Sequence, residues 1–99
     1  VPFQPAAIIP SFHSTAWPNP FCEQLYIGFY LPRENRVTVE IYSASGKMIS
    51  KLLESDLPKG EHQVIWNGCD ESGNLCTAGI YLYRVTAGKA HSTGMIVRM

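Results

Sequence analysis

Charge is scarce in this chain, and neither sign is in excess. Of 99 residues, eight are Lys or Arg and eight are Asp or Glu, together 16%, and the formal charge is zero. Phosphate backbones and anionic membranes select clustered Lys and Arg, whereas the basic residues here, from Arg33 to Arg98, are interspersed with acids. Nucleic acid is therefore not an expected partner. Long apolar runs are missing as well. No stretch approaches the roughly 18 residues of a membrane span, and no basic segment followed by an apolar one opens the chain, so no signal peptide is visible. The first residue is Val1, which suggests a piece of a longer polypeptide. With only 99 residues, one compact domain fits. Such a chain buries roughly 60 to 65% of its unfolded surface, enough for a sandwich or small barrel and little for a deep catalytic cleft.

Proline, glycine and alternating apolar residues organise what is present. The stretch 1–10 holds three of the seven prolines and no charged residue, and reads as an extended linker before a domain over 11–99. Pro18, Asn19 and Pro20 form a rigid turn, because each proline fixes its own φ and biases the preceding residue towards extended backbone. From there the period is two. Leu25, Ile27, Phe29 and Leu31 alternate with Tyr26, Gly28 and Tyr30; Val37, Val39 and Ile41 follow, then His62, Val64 and Trp66, then Tyr81, Tyr83 and Val85. A last strand contains Met95, Ile96 and Val97. Between Lys47 and Leu57 the spacing of Met48, Ile49, Leu52 and Leu53 fits one face of a short helix equally well. Six or seven short strands joined by Gly, Pro and Asn turns point to an all-β antiparallel sandwich. Trp66, Tyr81 and Tyr83 fall on its inner faces; Trp17, Tyr26 and Tyr30 are candidates for its outer surface, where aromatic rings can stack on sugars.

Candidate chemistry is sparse. Asp70 and Asn74 offer oxygen ligands within Asp70-Glu71-Ser72-Gly73-Asn74, a weak calcium-like pattern whose glycine stands fourth instead of sixth and whose twelfth position is Tyr81 instead of Glu. A turn, with Asp70 and Asn74 bonding local backbone and Gly73 at positive φ, accounts for the same residues. His13, His62 and His91 lie in separate segments without ligand spacing or a nucleophile motif, so neither a cofactor nor catalysis is expected. His62 shares a strand face with Val64 and Trp66, which suits a hydrogen-bonded histidine at the edge of the core. Three cysteines, Cys22, Cys69 and Cys76, cannot all pair within one molecule. Cys69 and Cys76 bracket a turn-rich loop and are the pair to bond if the compartment is oxidising; the alternative is three reduced, small, half-buried side chains.

Several ordered fragments carry a resemblance. Trp17-Pro18-Asn19-Pro20-Phe21, an alternating strand ending at Leu31-Pro32, Val37 to Tyr42 with Gly46-Lys47, Leu57-Pro58-Lys59-Gly60, Trp66-Asn67-Gly68, Asp70 to Asn74 and Ala78-Gly79-Ile80-Tyr81 together resemble the C-terminal sorting domains of type IX secretion cargo. They are similar also to the related immunoglobulin-like domain of flagellar hook-capping proteins. The resemblance runs from Trp17 to Met99. It implies a seven-stranded immunoglobulin-like sandwich in which Lys47 to Glu54 is a strand. It further implies a noncatalytic signal at the end of a larger exported protein, recognised by outer-membrane secretion machinery. A sortase-like peptidase then removes it, or it stays as a surface anchor; the destination is secreted or cell-surface. The motif positions fall on Pro18, Asn19, Pro20, Gly79, Tyr81 and the last strand, where Arg98 keeps a basic residue that such domains carry. Their early lysine would stand at Thr93 or Gly94. The terminal strand, Ser92 to Arg98, is expected at a sheet edge or along one face, open to a receptor by strand addition. An accessory module that binds glycan or protein beside a catalytic domain is the alternative, and a structural cap is a third reading.

Overall fold

A computed structural model of the chain describes residues 12–99; the linker expected over 1–10 lies outside them. Seven strands form two antiparallel sheets: β1 (Ser14–Trp17), β2 (Leu25–Leu31), β3 (Asn35–Ser43), β4 (Met48–Leu57), β5 (Gly60–Trp66), β6 (Gly79–Ala87) and β7 (Ala90–Arg98). The order is β1-β2-β5 in one sheet and β4-β3-β6-β7 in the other. Strand alternation explains the core directly. Leu25, Ile27 and Leu31 of β2, Val37, Val39 and Ile41 of β3, Trp66 of β5, Val85 of β6 and Ile96 of β7 point inward and are at most 1% exposed. Tyr81 and Tyr83 complete this interior. Packing of two apolar faces, each made by the period-two pattern, is what drives the sheets together.

The ambiguous segment is strand β4, and two irregularities explain its helical spacing. Pairing with β3 runs Val39 to Leu53 and then Glu40 to Lys51, skipping Leu52; it runs Ile41 to Ser50 and then Tyr42 to Met48, skipping Ile49. Each extra residue shifts the face by one position. Ile49, Leu52, Leu53 and Leu57 can therefore all pack against the core although strict alternation would not allow it. Strand β1 is an addition to the strands read from the alternation. Its four residues alternate half-buried and exposed, too short a run to register as a period.

The loop between β5 and β6 is fastened back to the irregular strand. Glu71 Oε2 accepts hydrogen bonds from Ser50 Oγ at 3.0 Å and from the Lys51 amide at 2.9 Å, while the Glu71 amide donates to the Ile49 carbonyl at 3.1 Å. Ser50 is thereby satisfied despite its burial, as a buried hydroxyl requires.

Candidate functional site

The motif residues converge on the last strand. After β1 the chain leaves the three-stranded sheet and passes to the free rim of β7. There Asn19 acts as a substitute for backbone: its Nδ2 donates to the Met95 carbonyl at 3.1 Å and its Oδ1 accepts from the Val97 amide at 3.0 Å. Phe21 continues the ladder with main chain, its amide donating to the Val97 carbonyl at 3.0 Å and its carbonyl accepting from the Met99 amide at 2.8 Å. Residues 19–21 thus run as a short parallel flank to β7, bridged at Phe21 and Arg98. Pro18 and Pro20 border Asn19 on both sides and fix the φ angles that hold its side chain against the strand. The Phe21 ring is 1% exposed and lies 5.4 Å from Trp66, which in turn meets Tyr81 edge-on at 5.4 Å.

Gly79 and Arg98 are opposite one another in the β6–β7 register, and Tyr81 faces Ile96. The Tyr81 hydroxyl donates to the Thr77 carbonyl at 2.7 Å, anchoring the approach to β6. The Arg98 side chain lies over Gly68, where a Cβ would stand 2.7 Å from Nε. That Nε is buried without a hydrogen-bond partner, while Nη1 donates to the Met99 carbonyl at 3.3 Å. Pro18, Asn19, Pro20, Gly79, Tyr81 and Arg98 therefore meet at one end of the sandwich. Phe21, Trp66 and Gly68 belong to the same assembly; alternation marks Trp66 as an inner-face residue, but no periodicity marks any of the three as a neighbour of β7.

This geometry corrects one expectation. Strand β7 is an edge strand, yet its rim is open only in part: from Met95 to Met99 it is occupied by Asn19 and Phe21. A partner adding a strand would find Ala90 to Gly94 first. Asn19→Ala removes both side-chain bonds and is expected to destabilise the domain by about 1 kcal/mol, with faster hydrogen exchange at the Val97 amide as the specific readout.

Asp70 and Asn74 lie further along the β5–β6 loop that begins at Asn67 and Gly68. Asp70 Oδ1 accepts from the amides of Ser72 and Asn74, each at 2.9 Å, and the Asp70 amide donates to the Asn74 carbonyl at 2.9 Å. Gly73 sits at φ 86°. Among the described residues no three His, Cys, Asp or Glu side chains cluster as metal ligands. The three thiols are free; Cys22 is exposed, and Cys69 and Cys76 are half-buried. Cys69 pairs with Leu75 across an antiparallel bridge, and the Cys76 amide donates to the Gly68 carbonyl at 2.8 Å. Burial first, and the Asp70 carboxylate second, push the Cys76 thiol up. Because the thiolate is the nucleophile, maleimide labelling near neutral pH followed by peptide mass analysis is expected to mark Cys22 first and Cys76 last. His62 Nε2 lies 2.7 Å from the Pro58 carbonyl, and its ring packs 5.7 Å from Phe29.

The profile of the FlgD Ig-like domain matches residues 23–91, more than half of the chain. The chain belongs to the FlgD Ig-like domain family. The fold is shared with latent dimeric PorU from Porphyromonas gingivalis at TM-score 0.72 and 18% identity, over 92% of this chain and 10% of that one. FlgD from Xanthomonas campestris, whose structure is described in terms of hook capping essential for flagellar assembly, superposes at TM-score 0.61 and 22% identity, over 85% of this chain and 60% of that one. PorZ, described as an essential bacterial surface component of the type IX secretion system of P. gingivalis, gives 0.59 and 18%, over 87% and 11%. The FlgD-type domain thus spans about a tenth of PorU and PorZ and somewhat under two thirds of FlgD. No curated protein matches significantly. A FlgD-type Ig-like domain is a noncatalytic fold, and no catalytic family is indicated. The matched span of the family ends before the terminal segment 92–99 and begins after Asn19 and Phe21, so the flank along β7 lies outside it.

Proposed function

We propose that this domain is a noncatalytic sorting and surface-attachment module at the end of a larger exported protein, read by type IX outer-membrane secretion machinery. The observation that carries this reading is the convergence of the Pro18-Asn19-Pro20 turn, Gly79, Tyr81 and Arg98 around one terminal strand. Residues separated by most of the chain meet around that strand, Pro18 and Asn19 exposed and Tyr81 inside the core, which suits recognition by strand arrangement in a protein with no net charge. Fold likeness to two P. gingivalis proteins, one of them named as a type IX component, supports the same reading. A secreted or cell-surface destination follows from it. So does oxidation of Cys69 and Cys76 during export, which an intact mass lighter by one hydrogen pair under nonreducing conditions would report. Removal by a sortase-like peptidase is part of the reading, with cleavage near the proline-rich start of the sequence.

The test is a fusion of residues 11–99 to a folded reporter in a host carrying that secretion system. Export of the reporter to the cell surface or medium is expected. Retention in the periplasm, while an authentic sorting domain exports the same reporter, overturns the proposal.

A further inference from the structure

The outward face of the three-stranded sheet forms a trough with aromatic walls. Register aligns Trp17 with Tyr26 and Tyr26 with Ile65 as one ridge, and Tyr30 with Glu61 as the other; Thr15, Gly28 and Gln63 lie between them. Gly28 has no side chain to raise the floor, and the indole of Trp17 uses that space. Its Cη2 and Cζ3 atoms lie 2.9 and 3.0 Å from where a Cβ on Gly28 would stand. The indole also stacks on Tyr26, with centroids 5.9 Å apart and planes inclined by 21°. Trp17 remains 42% exposed and Tyr30 49% exposed. A groove of about 470 Å³ runs between them, and Thr15, Glu61 and Gln63 line it with hydroxyl, carboxylate and amide groups. That volume is within the range of small-molecule sites.

The chemistry of the groove selects its occupant. Large planar rings offer an apolar surface to the C–H face of a sugar, while a carboxylate and a primary amide bond hydroxyl groups as acceptors and donors. No Lys or Arg lines the groove; beside Glu61 it holds two imidazoles, His13 and His62, the latter with Nε2 2.7 Å from the Pro58 carbonyl, so no fixed positive charge is there to draw a phosphate or carboxylate ligand. A wholly apolar partner would strip water from Glu61 and Gln63 without replacing its hydrogen bonds. We infer that this face binds a neutral pyranose-based saccharide, stacked on Trp17 and held through Glu61 and Gln63. The site is independent of the sorting role and is on the sheet opposite to β7.

Titration of the full chain with neutral oligosaccharides of glucose, mannose, galactose and N-acetylglucosamine, read by calorimetry and tryptophan fluorescence, tests the inference. Trp66 is fully buried, so a ligand-dependent change of emission reports Trp17. At least one saccharide is expected to bind at millimolar affinity or better, and Trp17→Ala to weaken it at least about tenfold, with Trp17→Phe restoring part of the loss. Should Trp17→Ala fail to fold, Gly28→Ser displaces the indole and is expected to weaken binding likewise. No binding across the panel overturns the site. So does undiminished binding by both variants, capture of an apolar peptide in place of any sugar, or self-association that buries Trp17 against a second copy.

Discussion

Trp66→Ala is expected to remove a large share of the stability of this domain. The indole is 0% exposed, contacts Phe21 and Tyr81 at 5.4 Å centroid separations, and donates from Nε1 to the Cys69 carbonyl at 2.9 Å. Truncation leaves a cavity between the sheets and an unpaired carbonyl at the start of the β5–β6 loop. Loss of a buried Trp costs about 3–5 kcal/mol through transfer and cavity terms together, and a chain of this size has a total of about 5–15 kcal/mol. At about 4–8 °C per kcal/mol for a domain of this length, the melting temperature should fall by at least about 12 °C. A thermal melt by circular dichroism measures this, with Trp17→Ala as the control: that indole is 42% exposed, and its removal should shift the midpoint by only a few degrees. Equal shifts in the two variants would contradict the assigned core. The consequence extends beyond stability, because Phe21 rests on Trp66 and carries the main-chain half of the flank along β7.

The parts of this architecture that the sequence makes legible are those with a local cause. Strands β2, β3, β5 and β6 can be read because Leu25 to Leu31, Val37 to Ile41, His62 to Trp66 and Tyr81 to Val85 alternate between two environments, and alternation is a property of neighbouring residues. Strand β4 hides because its two irregularities at Ile49 and Leu52 break that alternation; only the partner strand's register reveals why apolar residues recur at helical intervals. The flank along β7 is hidden for a different reason. Asn19 bonds residues 76 and 78 positions away, and nothing in Pro18-Asn19-Pro20 names its partner. Here the family resemblance supplied the motif, and the structure supplied the physical reason for it: an amide side chain between two prolines can complete a strand edge that main chain cannot reach. In the sequence Gly28 is one more position in an alternating strand, and its role beneath Trp17 emerges only when β1 is laid beside β2.

The terminal strand offers the second large effect, and with it a way to connect stability to sorting. Gly94 and Tyr83 are register partners. A Cβ on Gly94 would stand 2.7 Å from both Cζ and Oη of Tyr83, inside contact distance. Tyr83 is only 5% exposed, and its hydroxyl accepts a hydrogen bond from Ser14 Oγ at 3.2 Å, so the ring cannot move without disturbing the seam where β1 meets β7. Overpacking of this kind costs about 1–3 kcal/mol, and Gly94→Lys, which adds a charged stem at the same point, should reach at least the upper end. Thr93 is exposed and pairs with Arg84, so Thr93→Lys sets two like charges opposite one another in solvent and should cost no more than about 1 kcal/mol. Of the two positions at which the early lysine of sorting domains could stand, only Thr93 can therefore hold one in this fold. Chemical denaturation of the two variants measures the difference, and the reporter fusion reads its consequence. Thr93→Lys is expected to preserve or raise export, and Gly94→Lys to lower it through loss of folded domain. If Gly94→Lys folds as well as the parent, Tyr83 does not cover the strand as described; if Thr93→Lys folds normally but blocks export, the exposed half of β7 is read by a partner that excludes a positive charge.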